Sequence, residues 1–222
     1  MVARLHHLIS GMISIVAVLR MDAAGAASLC GNADPDISVI YCTDILQSAT
    51  TVPRTLSLAY TNRGSAYAKK GLYARAIEDY GQALKHDPQN AAAYNNRCYA
   101  LGQLGKLDDA LLDCGTSLTL SPHDPSILDS RGFIYLLMGR YADAIQDYDD
   151  ALRVSPNFAA SLYGRGIAKL KLGDRRAAEQ DLEAAKVIDP NIAIDMAASG
   201  IATNAATSVS TFKTKDDTSP RR

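Results

Sequence analysis

Residues 60–88 read YTNRGSAYAKKGLYARAIEDYGQALKHDP, and residues 128–156 read LDSRGFIYLLMGRYADAIQDYDDALRVSP. The two stretches share the spacing of their Arg, Gly, Ala, Asp and Pro residues. Five columns of identical residues recur every 34 positions along the chain: Arg63, Arg97, Arg131 and Arg165; Gly71, Gly105, Gly139 and Gly173; Ala76, Ala110, Ala144 and Ala178; Asp79, Asp113, Asp147 and Asp181; and Pro88, Pro122, Pro156 and Pro190. A fixed period of this kind indicates an array of one repeated supersecondary unit.

Each repeat is predicted to contain two helices. Apolar residues fall at helical spacing on both sides of the glycine, as in Tyr60 and Tyr67 before Gly71, and Tyr80 and Leu84 after it. The glycine permits a tight turn, and the proline ends the second helix because the residue before a proline is pushed out of the helical region. The sequence therefore predicts a helical hairpin as the repeated unit.

The repeats resemble the tetratricopeptide repeat (TPR), a family recognised by aromatic, small and proline residues at fixed spacing. The first repeat has Tyr60, Arg63-Gly64, Tyr67, Ala76, Tyr80 and Pro88, and the third has Leu128, Arg131-Gly132, Tyr135, Ala144, Tyr148 and Pro156. The resemblance covers about residues 57–192. It implies an all-α fold, a right-handed solenoid of four hairpins: residues 57–90, 91–124, 125–158 and 159–192.

The flanking segments predict how the array ends. Residues 27–56 are interpreted as an N-terminal cap segment, with a helix from Asp36 to Gln47 that resembles the second helix of a hairpin. Terminal repeats need one polar face, and the last repeat has Glu179 and Lys186 where earlier repeats have apolar residues. A short covering helix is predicted around Ile192 to Ala198, in residues 193–202. Residues 203–222 are mostly polar and predict a disordered tail.

All four repeats carry Arg where a Leu is usual in the family, and a buried arginine needs a partner. Residues equidistant from the turn of a hairpin lie at the same height. Arg63 and Asp79 are each eight residues from Gly71, and this symmetry recurs in every repeat. We therefore predict four structural ion pairs: Arg63–Asp79, Arg97–Asp113, Arg131–Asp147 and Arg165–Asp181. The alternative is a row of arginines that binds an acidic ligand.

Residues 1–26 resemble a secretory signal peptide. Arg4 precedes the apolar run from Leu8 to Leu19, and small residues follow at 23–27. An apolar run of this length is short for a membrane span, so no stable span is expected after cleavage. These features predict a periplasmic or secreted bacterial protein. An uncleaved anchor or a wrongly assigned start codon remains the alternative.

The cysteines agree with export. Four cysteines in an exported chain suggest two disulfides, although the sequence alone leaves three pairings open. We favour a disulfide between Cys30 and Cys42, which would join the N-terminal segment to the cap helix. Cys98 and Cys114 replace a small residue and an aromatic that face each other across a hairpin, so either a second disulfide or two packed thiols is expected.

Neither composition nor motifs favour catalysis or nucleic-acid binding. Lys and Arg number 23 against 24 Asp and Glu, which leaves no positive excess for a phosphate backbone. No zinc-protease, phosphate-loop or nucleophile-elbow motif occurs, and no Cys-x-x-Cys pair is present. We therefore expect a non-enzymatic protein with no catalytic residues, no metal and no cofactor.

The family resemblance implies a binding groove lined by the first helix of each hairpin. By that analogy, the groove residues are Asn62, Asn95, Asn96, Tyr99, Asp129, Phe133, Tyr163 and Ile167. The first four offer polar groups to a peptide backbone, whereas Phe133, Tyr163 and Ile167 are expected to be apolar anchors.

Some TPR modules hold a C-terminal carboxylate with a clamp of Lys, Asn and Arg. Asn62 and Asn96 stand at suitable positions, but Thr61, Ser126 and Ser130 occupy the positions of the accompanying cations. Binding of chaperone tails is therefore disfavoured. Hydrogen bonding of the two asparagines within their own chain is an equally open interpretation.

These observations predict a non-catalytic adaptor of the cell envelope that binds a protein or peptide segment in the groove. A structural subunit of a larger envelope or secretion complex, with its contact on another face, is the alternative. A module attached to a separate enzyme is a third, weaker interpretation. The sequence does not identify the partner or the oligomeric state.

Overall fold

A computed structural model describes residues 29–48 and 52–201, and this part of the chain contains ten helices and no strand. The predicted signal peptide, residues 1–26, and the predicted tail, residues 203–222, lie outside the described residues. The helices are α1 Pro35–Gln47, α2 Pro53–Lys69, α3 Tyr73–His86, α4 Ala91–Gln103, α5 Leu107–Leu120, α6 Pro125–Leu137, α7 Tyr141–Val154, α8 Ala159–Lys171, α9 Arg175–Ile188 and α10 Ile192–Ala198. The predicted all-α class is confirmed.

The chain forms two compact units, one ending at Pro122 and the other beginning at His123. In the N-terminal unit, α1 packs on α2, and the hairpins α2–α3 and α4–α5 pack through α3 and α4. In the C-terminal unit, α8 contacts α6, α7 and α9, and α10 contacts α8 and α9. Helices α1 and α10 thus occupy the segments for which a cap helix and a covering helix are predicted.

The turns and ends of the hairpins follow from the repeated Gly and Pro. Gly71 has a φ of 71°, a left-handed conformation that a residue with a Cβ atom rarely adopts, and the other three turn glycines share it. Helix α3 ends at His86, and Asp87 is extended immediately before Pro88. One glycine and one proline in each repeat therefore set the length of both helices.

Close helix packing within a hairpin depends on a small residue that faces an aromatic ring. Tyr80 of α3 is 1% exposed, and a Cβ atom added to Gly64 of α2 would lie 2.7 Å from its ring. Cys98 and Cys114 stand at these two positions in the next hairpin and form a disulfide. Closing a loop of this length stabilises by about 3 kcal/mol in the chain-entropy model, so a covalent bond replaces the ring-on-glycine contact.

A second disulfide joins Cys30 to Cys42 of α1, as predicted, and no cysteine of the described residues is free. The pairing of Cys98 with Cys114 resolves the alternative that the sequence left open in favour of the disulfide. Within residues 29–48 and 52–201, no helix is long and apolar enough to cross a membrane.

Candidate functional site

The structure brings the two side chains of every predicted Arg–Asp pair together. In each hairpin the arginine Nε and Nη2 donate to the two oxygens of one aspartate, at N···O distances between 2.6 and 2.8 Å. This bidentate geometry fixes the height of the first helix relative to the second. The arginines thus bind their own chain rather than presenting a free row of cations.

The burial of these pairs differs from the expectation of a buried arginine. The Asp147 side chain is 4% exposed, whereas the Arg131 side chain is 28% exposed, and the other three pairs show the same order. Three of the four guanidinium groups lie near tyrosine rings, and the Arg131 guanidinium carbon is 5.8 Å from the centroid of the Tyr135 ring. The aspartate is therefore the more buried partner, and its negative charge depends on the arginine for compensation.

The remaining nitrogen of the arginine can reach the preceding hairpin, a contact that the sequence analysis missed. Arg165 Nη1 donates to Asp149 of α7 at 2.6 Å, and Arg63 Nη1 donates to Thr43 of α1 at 3.1 Å. At the equivalent place beside Arg97 stands Gly81, whose added Cβ would lie 3.9 Å from Nη1. Arg63 and Arg165 therefore also connect neighbouring helices, whereas Gly81 offers Arg97 no side chain to bond.

Asp181 of α9 receives a third donor. Lys169 Nζ donates to its Oδ2 at 2.7 Å, in addition to the two bonds from Arg165. Burial acts to raise the pKa of Asp181, but the hydrogen bonds from Arg165 and Lys169 outweigh it, so the pKa is lowered. The last hairpin consequently carries the most densely paired of these four carboxylates.

Two of the groove asparagines make hydrogen bonds within the N-terminal unit. Asn96 Nδ2 donates to Ser65 Oγ at 3.1 Å, and Ser65 Oγ also receives the Tyr80 hydroxyl at 3.3 Å. Asn62 Nδ2 lies 3.9 Å from Cys30 Sγ. Asn96 therefore has the local hydrogen bond that the alternative interpretation of these two asparagines expects.

A neighbouring pair of amides on α4 has unused capacity. Asn95 Oδ1 and Gln103 Nε2 are buried and have no hydrogen-bond partner among the described residues. Because they are eight residues apart, they lie on one side of the helix, with Tyr99 midway between them. An unsatisfied buried amide atom is rare in proteins and calls for an explanation. Gln103 was not among the predicted groove residues because no repeat column marks it.

The predicted apolar anchors of the C-terminal unit do not form an open surface. Phe133, Tyr163 and Ile167 are 4%, 2% and 3% exposed. In the described conformation these three side chains are not open to a partner, and their role as anchors stays a prediction. Phe133 occupies the position that Ser65 has in the first hairpin, where Ser65 accepts a hydrogen bond from the Tyr80 hydroxyl. Phenylalanine cannot accept this hydrogen bond. The equivalent Tyr148 hydroxyl is buried without a partner among the described residues.

Asp129, the remaining groove candidate, is tied to α8. Its Oδ1 accepts a hydrogen bond from Ser161 Oγ at 2.6 Å. Burial raises the pKa of Asp129 to about 6, although the Ser161 hydrogen bond acts to lower it. Burial, followed by the charges of Asp129 and Asp147, also raises the pKa of Tyr148 well above its ordinary value. The carboxyl therefore serves an internal polar cluster. No group of His, Cys, Asp and Glu in the described part of the chain could hold a metal ion.

Family models identify the repeats. The model of the tetratricopeptide repeat matches residues 57–90, and a second TPR model matches residues 132–173. The chain is a TPR protein. A comparison with characterised protein sequences gives no match for this TPR protein.

Solved structures share the TPR fold of this chain. A crystal structure of MamA aligns at 21% identity over 77% of this chain and 96% of that chain, with a TM-score of 0.60. TTC0263, a TPR protein of Thermus thermophilus, aligns at 22% identity over 65% of this chain and 83% of that chain, with a TM-score of 0.58. These two likenesses show the fold, and they confirm the helical-hairpin solenoid.

A third similar structure is the second TPR domain of human RPAP3 in complex with the HSP70 peptide SGPTIEEVD. It aligns at 26% identity over 53% of this chain and 98% of that chain, with a TM-score of 0.50. TPR repeats are an interaction fold, and this relative holds a peptide of another protein.

Proposed function

We propose that this TPR protein is a non-catalytic scaffold of the cell envelope that holds an extended segment of another protein on the first helices of its N-terminal hairpins. The proposed surface is the amide face, defined as Asn62 and Ser65 of α2 with Asn95, Asn96 and Gln103 of α4. The hydrogen bond from Asn96 to Ser65 joins the two helices across this face.

The observation that carries the proposal is the pair of unsatisfied amide atoms on α4. Asn95 Oδ1 is an acceptor and Gln103 Nε2 is a donor, which are the two functions needed to bond a peptide N–H and a peptide C=O. At about 1.5 Å per residue, eight helical residues span about 12 Å. An extended peptide covers that length with about four residues. Both atoms are buried in the described conformation, so the two side chains would turn toward the peptide, and binding would then satisfy two amide atoms that have no partner among the described residues.

The envelope location is supported by the two disulfides together with the signal-like sequence of residues 1–26. Disulfides persist in oxidising compartments such as the periplasm and are rare in the cytosol. Localisation of a tagged chain by cell fractionation tests this part of the proposal, and recovery with residues 1–26 intact in the cytosol would contradict it.

The groove proposal is tested by site-specific photo-crosslinking in an envelope extract. A photoreactive residue at Gln103 samples the amide face, and one at Leu112, which is 72% exposed on α5, samples the outer face of the same unit. We expect a partner adduct from position 103. An adduct from position 112 alone would refute the amide face as the site.

The second candidate, a structural subunit, is favoured by the outer face of α5. That face is uncharged and lines a shallow groove of about 470 Å³. Its lining residues are Leu111, Leu112, Gly115, Thr116, Thr119 and Leu120. An exposed apolar strip of this kind suits a protein contact, so the adduct from position 112 would establish this candidate.

Replacement of Asn95 and Gln103 together by Ala separates binding from folding. Removing unsatisfied polar atoms does not cost stability, so we expect an unchanged or slightly higher urea midpoint. The adduct from a photoreactive residue at the neighbouring position 92 should nevertheless be lost. Replacement of the exposed amides Gln47 and Gln89 by Ala is the matched control, and it should leave both readings unchanged.

A further inference from the structure

An open groove lies on the outer face of α9, the second helix of the fourth hairpin. Its volume is about 710 Å³, and residues of this one helix line it. Two rows at a spacing of four residues form most of the lining: Glu179, Glu183 and Val187 in one row, and Gln180, Ala184 and Ile188 in the other. Residues at this spacing lie one above another on a helix, so both rows run along the groove.

The groove is acidic at one end and apolar at the other. Val187 is 76% exposed, the highest value among the exposed large apolar side chains of the described residues, and Ile188 is 42% exposed. At the opposite end, Glu179 and Glu183 make no ion pair or hydrogen bond with a described residue, and neither does Arg176. Two carboxylates against one guanidinium leave the groove with a negative charge that the described part of the chain does not neutralise.

The chain continues beyond Ile201 with residues 202–222, which lie outside the described residues. The stretch 209–215 reads VSTFKTK, in which Val209 and Phe212 come before the two lysines, 213 and 215. Residues 202–222 contain four Lys and Arg against two Asp, so their side chains carry a positive charge. This segment therefore offers an apolar and then a basic group, in charge the complement of the groove.

The order of these groups also matches the groove. Helix α10 begins four residues after α9 ends, so the chain leaves α9 at the apolar end of the groove, and α10 packs against α9. From Ile201 to Phe212 an extended chain spans up to about 36 Å, which exceeds the length of α9, about 21 Å. The segment is thus long enough to return along α9 and meets the apolar end first.

The spacing within the segment fits the same alignment. Val187 and Glu179 are eight helical residues apart, which is about 12 Å. Phe212 and Lys215 are about 10 Å apart in an extended chain, and the long lysine stem can bridge the remainder. An aromatic ring on Val187 therefore places the following lysines beside the two glutamates.

We infer that residues 209–215 dock in the groove of α9 in the same chain, with Phe212 at the apolar end and Lys213 and Lys215 at the acidic end. The composition of residues 203–222 predicts no fold of their own, and such a segment becomes ordered by binding a surface. Docking covers Val187 and compensates the charges of the two glutamates. The inference does not use the amide face, so it is independent of the proposed function.

Photo-crosslinking in the purified, oxidised full chain tests the docking. A photoreactive phenylalanine analogue at Val187 keeps that position apolar. We expect a crosslink to residues 209–215 within one chain, found by peptide mass spectrometry in the monomeric band, with a yield that does not depend on protein concentration. The analogue at Leu112, which is 72% exposed on α5, is the matched control and should give no such crosslink. Absence of the crosslink from Val187, an equal yield from Leu112, or crosslinks only between two chains would overturn the inference.

Charge reversal tests the acidic end. Lys213→Glu with Lys215→Glu should lower the crosslink yield at least about threefold, because two attractions become repulsions. Glu179→Lys with Glu183→Lys, added to that variant, should restore the yield. Both glutamates are exposed, so these changes leave the packing of α9 intact. A yield that the second pair of substitutions does not restore would refute the pairing of these lysines with these glutamates.

Two further variants locate the contact within the segment. Phe212→Ser should lower the yield about tenfold, because the apolar contact with Val187 is lost. Arg221→Glu with Arg222→Glu makes the same change in charge as the lysine variant but outside residues 209–215, so it should leave the yield unchanged. Equal losses in the arginine and lysine variants would show a nonspecific attraction and would overturn the inference.

Discussion

Replacement of Arg131 by Met tests whether the Arg–Asp pairs carry the stability of the hairpins. Methionine has a helix propensity close to that of arginine, so the change mainly removes the guanidinium. Asp147 would lose two hydrogen bonds of 2.7 Å while remaining 3% exposed. Breaking a buried pair in this way costs about 3–5 kcal/mol because one charge is left uncompensated.

The opposite change should cost less. In Asp147→Asn the Arg131 side chain, already 28% exposed, can turn toward solvent, and the Asn oxygen can still accept one bond. The loss is that of a hydrogen bond to a charged group, about 1.5–3 kcal/mol. The double variant Arg131→Met with Asp147→Leu replaces both charges by apolar groups, so it should recover most of the stability lost in Arg131→Met.

Urea unfolding of the oxidised full chain, followed by circular dichroism, measures these differences, and the double-mutant cycle gives the coupling energy. Arg140→Met is the matched control. Arg140 also contacts the Tyr135 ring, but its ion pair with Asp143 is about half exposed on both sides, so its loss should cost much less than the loss of the buried pair. A cost for Arg131→Met no larger than that of the control would refute the reasoning.

Two further substitutions test neighbouring contacts by the same assay. Gly81→Asp should give Arg97 a second carboxylate, as Asp149 does for Arg165 in the last hairpin. We expect it to stabilise the protein by about 0.5–1 kcal/mol more than the control Gly115→Asp, where no atom lies within 4 Å of an added Cβ. Equal effects of the two substitutions would show that no pair forms. Folding raises the pKa of Asp129 to about 6, so its contribution is fully present below about pH 4 and is lost as the pH rises through 6. Wild type should therefore lose about 2–3 kcal/mol relative to Asp129→Asn between pH 4 and 7.5, and parallel pH profiles of the two proteins would contradict the assignment.

The contacts inside a hairpin could be predicted from the sequence because the turn makes them symmetric. Once Gly71 is known to be the turn, residues at equal distances from it must meet, and Arg63 meets Asp79 for that reason. The same argument placed Cys98 opposite Cys114. The period and one stereochemical rule thus determine these pairs without any knowledge of how neighbouring hairpins stack.

Contacts between hairpins could not be predicted in this way. Asn90, the N-cap of α4, accepts the Ala93 N–H and also donates to Ser57 and Thr61 of the preceding hairpin. The residue type predicts that Asn90 caps the helix. Its hydrogen bonds to Ser57 and Thr61 depend on where the two hairpins approach each other. Likewise, the column of Asp149 holds Gly81 and Gly115 in the earlier repeats, so the repeat period gives no signal for the contact between Asp149 and Arg165.

The exposure of the groove residues was the least predictable property, and the reason is physical. The position of a residue in the family pattern determines the direction in which its side chain leaves the helix. The exposure of that side chain depends on every other segment that packs nearby. Phe133 is 4% exposed at the position where Ser65 forms hydrogen bonds, so one column holds a core residue in one hairpin and a polar contact in another. The proposed binding capacity therefore lies where the repeat pattern leaves polar groups unsatisfied. Among the described residues, the buried polar side-chain atoms without a partner are Asn95 Oδ1 and Gln103 Nε2 on α4 and the Tyr148 hydroxyl on α7, and the proposed amide face uses the first two.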